Sequence, residues 1–256
     1  EPIVLTVGEH DGVLPEDTSM LAELDSEIQI IRIDQKTILP ELLDKKSQQE
    51  IYNLYYGIIK DIDWMEEFID ILPKAPRLIP DNRIMWVYEC MKHIAEVVDL
   101  SEIDVVYTTG SPYSTYIIGY YLKEMYGIKW VQDYRDPWAS NDYYSENVRK
   151  AHMMTVSLEQ RLEKVLANAS DALITMGLGD EYVKKYGVRA AKIFDITNGY
   201  DEDDFREIDI TEKQNDKFTI CHNGKVYIDR NPIGVLEVIN SLIEEGKINA
   251  SKIQWI

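Results

Sequence analysis

Three short stretches concentrate the residues able to do chemistry. Asp133-Tyr134-Arg135-Asp136-Pro137-Trp138 places two carboxylates, a guanidinium and an indole within six positions. Ionised carboxylates take up protons or accept hydrogen bonds from hydroxyl groups, and an exposed aromatic face packs against the apolar face of a sugar ring. The same residues also read as an Arg135-to-Asp ion pair, an Asp136-Pro137 turn and a packing tryptophan. Thr109-Gly110-Ser111-Pro112-Tyr113-Ser114 combines a tight turn with hydroxyls at the start of an expected helix, which suits a phosphate or a sugar hydroxyl. Helix capping by Ser111 with Pro112 in the first turn accounts for it equally well. In His222-Asn223-Gly224-Lys225 and on to Arg230, a glycine permits close backbone approach, and Lys225 with Arg230 can neutralise a diphosphate. On chemistry alone these are solvent-facing cations beside a turn. His10, His93 and His152 have no partners at catalytic spacing and read as structural or surface residues.

The elements that must position these stretches alternate. Ile3-Val4-Leu5-Thr6-Val7, followed by Gly8, is short, β-branched and strand-like, and a second strand is expected over Ile28–Ile33. Ile51, Leu54, Tyr55, Ile58, Ile59 and Ile62 recur at three- and four-residue spacing, which predicts an amphipathic helix within Leu42–Leu72; Pro73, Pro76 and Pro80 then break the chain. Trp86–Val98 reads as another helix. From Asp104 the order is clearest: a strand to Thr108, a helix through Ile117, Ile118, Tyr121, Leu122 and Met125 stopped by Gly127, and a strand over Ile128–Asp133. A helix near Leu158–Ala167, a strand at Ala172–Thr175, a helix from Asp180 to Tyr186 stopped by Gly187, and a strand at Ile193–Ile196 repeat the pattern. Alternation of this kind implies an α/β, Rossmann-like, doubly wound parallel sheet. The expected domain is 1–205. The polar stretch 206–217 reads as a linker, and 218–256 as the start of a second Rossmann-like domain with a strand at Phe218–His222, a helix at Pro232–Glu244 and a strand at Ile253–Ile256. Open parallel sheets bind ligands beyond the carboxyl ends of their strands, where all three stretches fall.

Composition narrows the partners. The net charge of −19 repels nucleic acid and anionic headgroups, and no Lys/Arg-rich block offsets it. The densest acidic cluster, Asp201-Glu202-Asp203-Asp204, reads as a solvated surface. No run approaches the roughly eighteen apolar residues of a membrane span, and Glu1–Val7 lacks a signal-peptide pattern. Cys90 and Cys221 lie far apart without metal spacing, so free thiols in a reducing, cytoplasmic compartment are expected.

At these residues the chain resembles the bacterial glycosyltransferases of the two-domain GT-B type that build capsule, lipopolysaccharide and exopolysaccharide (glycosyltransferase family 4-like). The resemblance runs over Ile103–Asn231. It rests on Asp104-Val-Val-Tyr-Thr-Thr-Gly-Ser-Pro-Tyr-Ser, on Trp130-Val-Gln-Asp-Tyr-Arg-Asp-Pro-Trp138, on Ala169-Ser-Asp-Ala-Leu-Ile-Thr175, and on Asn198-Gly-Tyr-Asp201 with Phe205. It implies a hexosyltransferase that moves a sugar from a nucleotide-diphosphate donor to an acceptor hydroxyl, with retention of configuration in most relatives and no metal in many. No cofactor beyond the donor is implied. The carried-over roles are Asp133 and Asp136 as catalytic groups, Ser111, Tyr113, Arg135 and Trp138 at the acceptor, and Gly224, Lys225 and Arg230 at the donor diphosphate. Lys225 and Arg230 stand in the reverse of the family's Arg-then-Lys order. The family's opening strand and glycine-rich loop, and the paired glutamates of its second domain, have no counterpart here, so a fragment without activity of its own is expected. The implied enzyme is cytoplasmic, with peripheral contact to the inner face of the membrane through a glycolipid acceptor. A nucleotide-sugar 2-epimerase and a non-catalytic nucleotide-sugar-binding protein of the same fold are the competing readings.

Overall fold

The computed structural model describes residues 1–8, 23–35, 79–81, 83–139, 153–206, 216–224, 226 and 231–256. The helix expected within Leu42–Leu72 lies outside them. Among the described residues every strand pairing is parallel, as alternating strands and helices require. The strands β1 (Ile3–Val7) and β2 (Gln29–Ile33) pair with each other. A four-stranded sheet has the order β3 (Val105–Gly110), β4 (Lys129–Tyr134), β5 (Ala172–Thr175), β6 (Ile193–Asp195). The chain is therefore an α/β protein whose main sheet is wholly parallel and flanked by helices, with the strands at Val105, Val131 and Ile174 in one sheet.

Helix α1 (Ile84–Val97) precedes β3, α2 (Thr115–Tyr126) joins β3 to β4, and α3 (Met153–Ala169) precedes β5. A helical segment, Gly179–Glu181 continuing as a π-type turn over Tyr182–Tyr186, leads to β6. Glycine ends two of these elements in the left-handed conformation, Gly127 at φ 72° and Gly187 at φ 69°. Helix α3 ends differently. The Lys192 ammonium donates to the carbonyls of Ala167, Asn168 and Ser170 at 3.0, 2.7 and 2.8 Å, so a side-chain cation satisfies a helix terminus that would otherwise bury unpaired acceptors.

The core lies on one face of the main sheet. Leu158, Leu162 and Leu166, one turn apart on α3, are buried with Tyr116, Ile117 and Leu122 of α2 and with Trp130, Tyr134 and Leu173 from the strands. Full burial of each such leucine contributes roughly 1.5–3 kcal/mol. Strand alternation sends Trp130, Gln132 and Tyr134 into this core and turns Val131 and Asp133 to the opposite face, the face of Tyr107 and Thr109 on β3. Gly119 of α2 allows a close approach to β4: a Cβ there would overlap the Trp130 indole, whose Nε1 donates to Thr108 Oγ1 at 2.8 Å. Cys90 of α1 is also buried, and burial pushes its thiol pKa well up.

The chain divides into two compact units, Glu1–Asn198 and Gly199–Ile256. In the second, β7 (Phe218–Ile220) pairs in parallel with β8 (Ile253–Trp255), and α4 (Ile233–Glu244) lies between them in sequence. Cys221 of this unit is exposed. Among the described residues no helix is long and apolar enough to cross a membrane.

Candidate functional site

The register of β3 and β4 sets Thr109 beside Asp133 at the carboxyl edge of the sheet. Asp133 Oδ2 accepts from Arg135 Nε at 2.6 Å, from the Tyr107 hydroxyl, and at 3.4 Å from Thr109 Oγ1. The guanidinium continues outward, Nη1 donating to Asn198 Oδ1 at 2.9 Å and toward the Ile196 carbonyl at 3.4 Å. A chain of four side chains, Tyr107–Asp133–Arg135–Asn198, thus ties β3 and β4 to the segment that follows β6. The Asp133 carboxylate raises the pKa of Arg135 through their hydrogen bond, with the Tyr107 hydroxyl adding to it. Burial raises the Tyr107 phenol, and its bond to Asp133 raises it further, so Tyr107 remains a hydrogen-bond donor at neutral pH.

Asp133 is 1% exposed, and its second oxygen, Oδ1, has no donor among the described residues. A carboxylate so covered, with one oxygen committed to a guanidinium and a phenol, orients its neighbours. Asp136 is the exposed carboxylate of the loop.

The loops to either side are held by the protein's own groups. Ser111 is exposed and Tyr113 half-buried, with the Tyr113 hydroxyl donating to the Pro137 carbonyl at 2.9 Å. Trp138 is 1% exposed and stacks on Tyr113, ring centroids 5.2 Å apart and planes within 9°. That indole face is filled by a tyrosine, so Trp138 shapes the loop from beneath. The helix start expected at Ser111-Pro112 falls later, at Thr115, and the cap comes from elsewhere in the chain. Asp81 accepts from the Ser114 amide at 3.0 Å through Oδ2 and from the Ser114 hydroxyl at 2.8 Å through Oδ1. A carboxylate from 33 residues upstream therefore lies at the positive end of α2, which favours negative charge.

The loop after β5 is filled in the same way. Asp195 Oδ1 accepts from the Gly177 and Gly179 amides at 3.1 and 3.3 Å and from the Thr175 hydroxyl. The Thr175 bond first, then the two amides against the opposing effect of burial, lower the Asp195 pKa. Gly177, at φ 80°, provides the left-handed turn this wrapping requires.

Beneath Ala139 sits a buried carboxylate. Glu163, 1% exposed, accepts from Tyr182 and Tyr186 hydroxyls at 2.6 Å each and from the Ala139 amide at 3.3 Å. Burial raises its pKa against the pull of these donors. Tyr134 packs on Tyr116 and Tyr182 at 4.8 and 4.9 Å, so an aromatic block supports the loop from α2, β4 and the segment before β6.

Asp133, Arg135, Asp136, Tyr113 and Trp138 therefore come together at one edge of the sheet, with Ser111 on the loop that follows β3. Gly224 is exposed at φ 146°, in the region that favours glycine. Lys225 and Arg230 lie outside the described residues. Sequence reasoning gave Tyr107, Asp81, Asn198 and Asp195 no site role, although Tyr107 and Asn198 stand in stretches that carry the resemblance. Tyr107 alone carried a usable signal: it stands two positions before Thr109, and strand alternation puts both on one face. The Asp81 partnership spans too much chain for any local pattern to reveal. No protein-family model and no curated protein matches the chain.

Proposed function

We propose that the chain is a nucleotide-sugar-dependent glycosyltransferase of the GT-B type, with the carboxyl edge of β3–β6 forming the acceptor side. The observation that carries this reading is the Tyr107–Asp133–Arg135–Asn198 chain at the edge of a parallel sheet, where ligands of such sheets bind. A second unit with a parallel strand pair around a helix suits a donor-binding domain. Asp136 is the carboxylate with access to solvent and is assigned the proton-transferring role; Asp133 is a positioning residue. Gly224, Lys225 and Arg230 are assigned to the donor diphosphate. The reaction breaks the donor's bond between the anomeric carbon and phosphate oxygen and forms one from that carbon to an acceptor hydroxyl. The acceptor's proton leaves to a base, and the nucleoside diphosphate departs.

A non-catalytic binding protein of the same fold is the reading that gains most from the burial of Asp133, since a neutralised carboxylate binds without turning over. The two separate in one assay. The full-length protein is incubated with UDP-, GDP- and ADP-sugars and a panel of glycoside and glycolipid acceptors, and release of nucleoside diphosphate is followed. Acceptor-dependent release is expected. Binding of the donors without any release would replace transfer by the binding reading.

A further inference from the structure

We infer that Tyr107 is the stacking platform of the site and that its ligand is a neutral sugar ring. The inference rests on the reading of this edge as an acceptor site, and it assigns to Tyr107 the role that the sequence suggested for Trp138.

Trp138 has no free face, whereas the Tyr107 residue is 53% exposed on the side of the sheet that bears Asp133. A half-exposed aromatic ring normally turns through several rotamers. This one is pinned, because its hydroxyl is held by a carboxylate that Arg135 in turn fixes. A ring held in one orientation loses little entropy when a ligand packs on it. Asp133 Oδ1 supplies the second observation: a buried acceptor without a donor among the described residues, on the same carboxylate whose Oδ2 holds the Tyr107 hydroxyl.

The charges select the ligand class. A cation gains little, because the guanidinium at 2.6 Å already neutralises Asp133. A fully ionised anion has no hydrogen to donate to the orphan acceptor Oδ1. A neutral polyol that donates a hydroxyl to the orphan oxygen and lays C–H groups on the ring satisfies both features, and a pyranose has both on one molecule.

The test needs no turnover. Methyl α- and β-glycosides of glucose, galactose and mannose are titrated into chain carrying ¹³C-labelled tyrosine rings, with the Tyr107 signals assigned by their loss in Tyr107→Phe. Mannitol, which has the hydroxyls without the ring face, is the control. At least one glycoside is expected to shift the Tyr107 signals while mannitol does not. Binding followed by ligand-observed NMR should weaken only about threefold in Tyr107→Phe, which keeps the ring but loses its tether, and fall about tenfold or more in Tyr107→Ala, as loss of an aromatic contact area implies. Circular dichroism confirms that both variants are folded. A platform role requires this split; a tyrosine that served only to hold Asp133 would weaken both variants alike. Unmoved Tyr107 signals with every glycoside, equal shifts with mannitol, or equal losses in the two variants would overturn the inference. Nucleoside-diphosphate release, measured separately, distinguishes the two levels. Glycoside binding without release removes the transferase reading and leaves the platform, and wild-type transfer by Tyr107→Ala does the reverse.

Discussion

Asp133 illustrates how far residue type alone carries an argument. Its position at a strand's carboxyl end, next to Arg135, marked it as chemical, and the ion pair weighed against that role is what forms. In the proposed site, a buried carboxylate that fixes a guanidinium and a phenol would position its neighbours without reacting itself. Stability separates positioning from direct chemistry. Asp133→Ala strips Arg135 and Tyr107 of their shared acceptor and should lower the unfolding free energy by about 1–3 kcal/mol, with Asp133→Asn costing less because an acceptor oxygen remains. The exposed Asp136, changed to Asn, should stay within about 0.5 kcal/mol of wild type. Urea unfolding of the three variants measures both differences. Equal, negligible losses for Asp133 and Asp136 would return Asp133 to the role of a free base. Asp133, Arg135 and Asp136 were legible as a group because they are neighbours in sequence. The part of Asn198 was not, because a hydrogen bond spanning 63 residues leaves no periodic trace, and strand alternation gave the face of Tyr107 but not its partner 26 residues on.

The parallel alternation of elements was legible because glycines at 127 and 187 and β-branched runs mark ends and strands locally. The start of α2 was not. Ser111-Pro112 has the composition of a helix start, yet the cap is Asp81, and a tertiary carboxylate overrides a local signal. Packing between α2 and β4 gives a sharper test of which effect wins. Replacing a helical glycine by alanine gains about 1 kcal/mol of propensity, while overpacking a core costs about 1–3 kcal/mol. At Gly119 the new methyl meets the Trp130 indole, which is fully buried and hydrogen-bonded and cannot yield. Gly119→Ala is therefore expected to lower the melting temperature; a rise would show that the two elements have slack between them. At the other end of β4, burial pushes the Asp171 carboxyl up, but the Lys123 ammonium at 2.6 Å, the Trp130 amide and Lys129 outweigh it and hold its pKa below the ordinary value. A depressed carboxyl stabilises the fold above its unfolded pKa of about 3.9 and loses that contribution as pH falls through the folded value. Asp171→Asn should flatten the acid limb of a stability-against-pH curve below about pH 4 and lower stability at neutral pH. An unchanged acid limb would remove Asp171 from the account.

Over the whole molecule the net charge of −19 sets the terms for any anionic ligand. A nucleotide sugar approaches against the average field, so its site must supply local cations. Lys225 and Arg230 are the pair proposed for this, and Arg230→Ala in the full-length protein should weaken nucleoside-diphosphate binding about ten- to a hundredfold while leaving acceptor binding in place. Titration calorimetry with the free diphosphate decides the matter, and equal affinities would make Arg230 a solvent-facing charge. The division at Asn198 and Gly199 also has a practical meaning that lies in the chain's two thiols. Cys90 is sealed in the first unit with its thiol held protonated, while Cys221 stands open in the second. A maleimide dye should therefore couple to Cys221 as soon as it is mixed in, and to Cys90 only on those occasions when the first unit opens. The wild-type chain carries its own internal clock: the slow labelling phase times the opening of one unit, and the fast phase confirms that the reagent was present throughout.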